Sequence, residues 1–368
     1  MNTPISTSAS TAEAMPDVAP DSSPEPEISG PLSKTIAELA SYTATEHPCE
    51  VVLVADGTET PRTWAYSQND QWLSVYLGTV ISTDPVGPVF TQEALALFAR
   101  MTVQPPANVK VVINQLIKDL IGRGYWGRLD VLIMPGADVQ QSTLNWKANQ
   151  YNATPVGTVD FIAYKGFLGN GSDFYLDSGF DPIAAMAAGS RFQRDSLSFG
   201  GGIQDPNGIT LKSRTVMGIY AGTANAAVDI LPDGSALNLT AFKIGSAANM
   251  VGTVTMAPHH WFASRTSATS VAMYVDGKPI LVQANNPSQS WFDDGLGTTI
   301  KYCARASYSA GAWTTTRLSN ARHAYFIIGG GFTAAEALDM NFLLNAYLAA
   351  TGSEALLNRT LTPTMVIS

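Results

Sequence analysis

Apolar and polar positions along this chain follow a helical period near residue 110 and near residue 340, and a strand period over most of the stretch between. From Ala107 to Arg123, the residues Val109, Val112, Ile113, Leu116, Ile117, Leu120 and Ile121 recur at i, i+3 and i+4. That spacing predicts one helix with a broad apolar face, ended by Gly122 and Gly124. A shorter helix is predicted before it, opened by Thr91, running through Met101 and stopped by Gln104, Pro105 and Pro106. A last helix opens at Thr333 with Glu336 three residues on, the pattern of a capping box. Leu338, Phe342, Leu343 and Tyr347 are expected on its inner side.

Between these helices the periods are short and broken by turn residues. Candidate strands are 159–163, 174–176, 196–200, 215–220, 227–231, 239–244, 252–256, 261–265, 270–275, 279–283 and 324–328. Many short strands at this rhythm predict a two-sheet sandwich. The clearest hairpin is 270–282, where Asp276 and Gly277 supply the positive φ of a tight turn. In Gly166–Pro182, Phe174, Leu176 and Phe180 are apolar while Asp173, Asp177 and Asp181 are acidic, as in a strand with one face on a core. The glycine triplets at 200–202 and 329–331 lack a phosphate-loop lysine and read as bulges or chain reversals at sheet ends. The apolar face of the 107–123 helix must be covered, and the sandwich after it is the expected cover.

The chain before these elements is different in kind. Residues 1–31 carry Glu13, Asp17, Asp21, Glu25 and Glu27, no Lys or Arg, and six prolines. Such a composition does not bury enough apolar surface to offset its ordering entropy, so an extended arm is expected, disordered alone or ordered by a partner. Residues 32–84 read as a small module. Ser33 is expected to cap a short helix to Tyr42, followed by a strand at 50–55, a turn at Asp56 and Gly57, and strands at 63–66 and 72–76. The division expected is thus arm 1–31, module 32–84, helical linker 85–158, sandwich with its closing helix 159–352, and tail 353–368.

Composition narrows the function classes. The formal net charge is −9 and only 14% of residues are charged, with Lys and Arg scattered singly, so nucleic acid is not an expected partner. Residues 1–10 lack the basic start and apolar core of a secretory signal, and no run reaches the roughly 18 apolar residues of a spanning helix, so no membrane insertion is expected. Cys49 and Cys303 are far apart and are expected as reduced, buried thiols.

Three segments carry a resemblance: Gly124–Trp146, Gly166–Pro182 and Ile327–Gly352. Together they resemble the concanavalin A-like (LamG-like) modules of tailed-phage and prophage structural proteins, over roughly residues 91 to 352. The strand, turn and tryptophan-bearing strand of 51–75 resembles short β modules near the starts of phage fibre and tail proteins. The fold implied is mainly β: a concanavalin A-like antiparallel β-sandwich preceded by a two-helix segment, with a small N-terminal β module and the arm. The function implied is that of a non-enzymatic virion protein, assembled in the bacterial cytoplasm. It would be a head or tail fibre, spike or decoration component, anchored to other virion proteins by its arm and module. A homo-oligomer, a trimer in the manner of fibres, and a host surface polysaccharide are the implied partners. The alternative is a purely architectural virion subunit, and after it a polysaccharide depolymerase.

The chemistry available fits binding better than catalysis. Sandwich glycosidases resembling this fold use paired glutamates, and no glutamate occurs between Glu93 and Glu336. His259 and His260 are adjacent and point to opposite faces of a strand; His47 and His323 stand alone. No nucleophile elbow or zinc motif is present. For a glycan, the candidates are Trp291, Trp313, Tyr302, Asn286 and Asp293, aromatic faces beside amide and carboxylate groups in a loop-rich region. That grouping reads equally as a satellite core or an oligomer contact. For calcium, the one ion to carry, the candidates are Asp293 and Asp294 before Gly295, and Asp205 in the turn 205–208.

Overall fold

A computed structural model of the chain describes residues 90–205, 214–221, 226–232, 239–246, 250–254, 258–288 and 297–352, together with the N-terminal strands given next. At 205, 221, 226, 239–246 and 250–253, and in those N-terminal strands, it describes the backbone alone. The chain divides into two compact units, 1–83 and 84–368. The expected arm 1–31 and tail 353–368 lie outside the described residues.

In the first unit, β1 (Ser33–Lys34), β2 (Val51–Val54), β3 (Thr63–Gln68) and β4 (Gln71–Ser74) form one sheet in that order. Ser33 is not a cap but a strand residue paired with Leu53, parallel to β2, and the rest of the helix expected to Tyr42 lies outside the described residues. The remaining pairs are antiparallel.

The second unit opens with α1 (Gln92–Phe98) and α2 (Ala107–Gly122). Thr91 caps α1 by accepting from the Ala94 N–H. At the end of α2, Gly124 takes φ +75° while the N–H groups of Tyr125 and Gly124 return to Leu120 and Ile121 carbonyls, a Schellman closure. Then come β5 (Leu129–Ile133), β6 (Thr154–Val156), β7 (Asp160–Ile162), β8 (Gly166–Leu168), β9 (Tyr175–Asp177) and α3 (Pro182–Ala187). Next are β10 (Leu197–Asp205), β11 (Met217–Ala221), β12 (Ala226–Leu231), β13 (Leu239–Ser246) and β14 (Met250–Thr253). The chain continues through β15 (His259–Arg265), β16 (Val271–Val275), β17 (Lys278–Gln283), β18 (Lys301–Tyr302), β19 (Arg305–Ser309) and β20 (Ala312–Thr316). It ends in β21 (Arg322–Gly329) and α4 (Ala334–Ala350), whose capping box forms as expected.

These strands make a two-sheet sandwich. Sheet I runs β17-β16-β15-β10-β21-β8-β7, with β5 sharing the edge of β21 with β8. Sheet II runs β14-β13-β12-β11-β18-β9-β6, with the hairpin β19-β20 added on β11. One pairing departs from an all-antiparallel sandwich: β19 lies parallel to β11. Cys303, at φ +61°, turns the chain between β18 and β19, so both use the same edge of β11.

Sheet I is covered on both faces. Toward sheet II it presents Val131, Ile133, Phe199, Trp261, Met273, Phe326 and Ile328. Toward the helices it presents Leu132, Phe262, Tyr274, Tyr325 and Ile327, packed with Ile113, Ile117 and Leu120 of α2 and Met340, Leu344 and Leu348 of α4. Every residue of β15 and β21 is accordingly buried. The α2 face thus lies on the sandwich as expected, and the segment expected as a helical linker also contributes β5, a strand of sheet I. Its run LDVLI has no alternation because both of its faces are buried. Ile121 and Phe342 are exposed, each just off the buried stripe of its helix.

The triplet Gly200–Gly202 sits not at a sheet end but in mid-strand, between β15 and β21. A Cβ at Gly200 would lie 2.4 Å from the Trp261 carbonyl oxygen, and one at Gly202 would lie 2.5 Å from the Tyr325 ring. Tyr325 therefore lies across Gly202 and donates its hydroxyl to His260 Nδ1 at 2.6 Å. His260 Nε2 in turn donates to Asn345 Oδ1 on α4 at 2.5 Å. Burial pulls the His260 pKa down to about 4, so the neutral ring offers the one acceptor and one donor that this chain of bonds needs. Only the register shift after Gly202 has the character of the expected bulge.

Gly202→Ala should therefore cost about 2 kcal/mol or more, since neither the ring nor the flanking strands can give way. Gly127→Ala, where a Cβ meets nothing within 4 Å, should stay within about 0.5 kcal/mol. Tryptophan-monitored urea unfolding of both variants measures the difference.

Candidate functional site

The predicted glycan residues do not form one site among the described residues. Trp291, Asp293 and Asp294 lie outside them. Tyr302 is fully buried and stacks on Phe326 with ring centroids 4.2 Å apart, so its face is not open to a sugar. Asn286 is buried too; its carbonyl and side chain accept from the Arg265 guanidinium, a clasp on the loop after β17. Trp313 is half-buried, packed on the sandwich core and against Tyr308 across the β19-β20 hairpin. For Tyr302 and Asn286 the physical reason is shared: residues read as loop are tied into the interior.

The calcium candidates fare similarly. Asp205 is the last residue of β10, in register with Arg322; its side chain and the rest of the expected turn, 206–208, lie outside the described residues. No group of three or more His, Cys, Asp or Glu is gathered among the described residues. The acidic residues of 173–181 have structural partners. Asp173 accepts from the Asn170 amide and the Thr158 hydroxyl. Asp177 pairs with Lys301 at 2.5 Å, which with Thr299 outweighs the cost of burial and holds its pKa low. Asp181 caps α3. His259 binds Asp276 at 2.8 Å and His260 faces the other side of β15, as adjacent strand residues must. Cys303 is a buried free thiol, its pKa pushed up by burial. Among the described residues no helix is long and apolar enough to cross a membrane.

A different polar array stands on sheet II. Met217, Ile219, Val228, Ile230 and Ala306 point into the core, so alternation turns Gly218, Tyr220, Asp229, Arg305 and Ser307 to the opposite face. Register aligns Asp229, Gly218, Arg305 and Thr316 in one row across four strands, with Tyr220, Ser307 and Thr314 in the next. Arg305 is fixed in three directions. Its Nε donates to Ser307 Oγ at 3.0 Å, its Nη1 donates to Asp229 Oδ2 at 3.1 Å, and its plane lies 4.7 Å from the Tyr220 ring centre. Ser307 Oγ meets Thr316 Oγ1 at 2.7 Å. Gly218 gives the carboxylate its place, because a Cβ there would come 2.5 Å from Asp229 Oδ1.

The electrostatics follow from burial. The Asp229 side chain is 3% exposed although it leaves the outer face of a sheet. Burial raises its pKa, and Arg305 and Arg317 pull it back in part. Arg317, half-buried at φ +55°, has its pKa lowered first by burial and next by the neighbouring charge of Arg305. What results is a largely buried polar cluster with one aromatic ring, one carboxylate and two guanidinium groups, and with Thr314 exposed at its edge.

Sequence reasoning missed this array because residues 301–316 read as loop. The signals were an Asp amid the apolar run of β12, and Gly311 after Ala310, whose φ values of +84° and +51° make the turn between β19 and β20.

No protein-family model matches the chain, and no curated protein matches it. Solved structures resemble it slightly. Domain 4 of AbnA, an extracellular arabinanase from Geobacillus stearothermophilus in complex with arabinotriose, has 13% identity and a TM-score of 0.37, covering 58% of this chain and 98% of that one. The ligand binding domain of botulinum neurotoxin serotype D in complex with N-acetylneuraminic acid has 10% identity and a TM-score of 0.35, covering 59% of this chain and 51% of that one. The chain thus spans about half the length of that toxin domain.

Arg305→Met should destabilise the sandwich by about 3 kcal/mol near neutral pH, because it leaves the Asp229 carboxylate buried with less compensation. Since the Asp229 pKa is raised in the folded state, the folded chain takes up that proton more readily than the unfolded one, and the loss should shrink as pH falls. Pairing with Asp229→Asn should recover part of it. A double-mutant cycle at neutral pH and near pH 4 reads all three.

Proposed function

We propose that this chain is a non-enzymatic virion protein of a tailed phage, a head or tail fibre, spike or decoration component that holds host-surface glycan on its sandwich. The observation that carries the glycan reading is the outer face of sheet II. Tyr220, Asp229, Arg305, Ser307 and Thr316 stand in register on paired strands, locked by their own hydrogen bonds before any ligand arrives. A sugar is recognised by such a set: hydroxyls exchange hydrogen bonds with fixed donors and acceptors, and a ring face offers apolar contact. Preorganisation on strands keeps the entropic cost of binding small.

The virion setting is supported by the likeness of residues 124–146, 166–182 and 327–352 to modules of tailed-phage structural proteins. A non-catalytic role is favoured by the want of any glutamate from 94 to 335. Many copies on one particle turn weak single contacts into useful avidity, so modest affinity per copy is sufficient.

The whole chain should be retained on immobilised host-cell polysaccharide without releasing reducing sugar, and Tyr220→Ala should weaken retention roughly tenfold while leaving the melting temperature within a few degrees. Reducing-sugar release would replace adhesion by depolymerisation. A folded chain that is not retained would leave the architectural subunit.

A further inference from the structure

We propose that the saccharide held on sheet II is an anionic one, and that Arg317 with the uncommitted edge of Arg305 grips its carboxylate or sulfate group. This rests on the glycan-binding reading above and narrows its substrate class.

The argument begins with a local charge surplus. Arg305 and Arg317 face a single described carboxylate, Asp229, on a chain whose formal net charge is −9. In the backbone register, Lys243 of β13 stands opposite Asp229, on the side away from Gly218 and Arg305. Tyr220, Ser307, Thr314 and Thr316, the other polar residues of these rows, are uncharged at neutral pH.

The donors are divided in a telling way. Arg305 gives Nε to Ser307 and Nη1 to Asp229, so its Nη2 group makes neither bond. Among the described residues the Arg317 guanidinium has no hydrogen-bond or ion-pair partner, although it is half-buried and within Coulomb reach of Arg305, Asp229 and Tyr220. Its backbone is held at φ +55°, unfavourable for a side chain this long, with its carbonyl fixed by the Thr215 N–H at 3.1 Å. A half-buried cation beside a second cation is disfavoured, and burial and Arg305 together lower its pKa. An anion placed between the two groups relieves both costs. Guanidinium forks match the planar oxygen pairs of carboxylates and the oxygens of sulfate or phosphate esters. Asp229 then has a second role: it neutralises and aims Arg305, and by its own charge it discourages an anion from seating too near β12.

Isothermal titration of the whole chain with oligogalacturonate, its methyl ester and a sulfated galactan separates the outcomes. Binding of the acid at least tenfold tighter than the ester, weakening as salt rises, supports the proposal. Binding of the sulfated galactan alone supports it with sulfate as the source of charge. Arg317→Ala should abolish the preference at an unchanged melting temperature, and Arg317→Lys should restore part of it. Equal binding of acid and ester, or full anion preference in Arg317→Ala, overturns the proposal and leaves a neutral glycan as ligand. Binding of none of the three, nor of the neutral host polysaccharide, overturns the glycan reading as well.

Discussion

A sheet covered on both faces is the constraint on which the rest of this molecule depends. Sheet I lies between the second sheet and a helix layer, so its central strands have no side that meets water. Any polar group there must find its partner inside. The crossing of Tyr325, His260 and Asn345 over Gly202 answers that demand and ties α4 to the sheet through three elements at once. The glycine is as much a part of it as the tyrosine, since only a strand without side chains lets the ring lie flat and reach its neighbour. Ser264 does the same at the other end of β15, accepting from the Phe332 N–H and donating to the Phe332 carbonyl just before α4 begins.

Much of this was legible along the chain, and what was not has a physical reason. Helices α1, α2 and α4 announced themselves by period and caps, and the Asp276-Gly277 hairpin by its turn. Strands with one wet face could be read from alternation. β5 could not, because burial on both faces erases the alternation. The triplet at 200–202 looked like a reversal because glycine usually marks one; here it marks the place where a neighbour's ring needs space. At the site, clustering of aromatic and amide residues in sequence does not distinguish Tyr302, stacked inside on Phe326, from Tyr220, which lies under Arg305 on the outer face.

The two faces of sheet II divide the labour. Toward sheet I they supply core, with Ile219, Val228 and Ala306. Outward they supply a set of hydrogen bonds that no packing requirement explains. Holding Asp229 nearly dry on an outer face is costly, and it is the pairing with Arg305 across Gly218 that makes the position tolerable. Stability on this face therefore draws on Asp229 and Arg305 together.

The reversal at Cys303 has a consequence for the order of assembly. β11 and β12 are close in sequence and can pair early, whereas β19 reaches β11 only after the chain between them has been threaded through both sheets. Parallel, sequence-distant pairings close the longest loops and form late. Asp229 waits on the early hairpin and Arg305 arrives with the late strand. The outer face is then complete only in a chain that has finished folding, and one stopped short of that carries a buried carboxylate still waiting for its guanidinium.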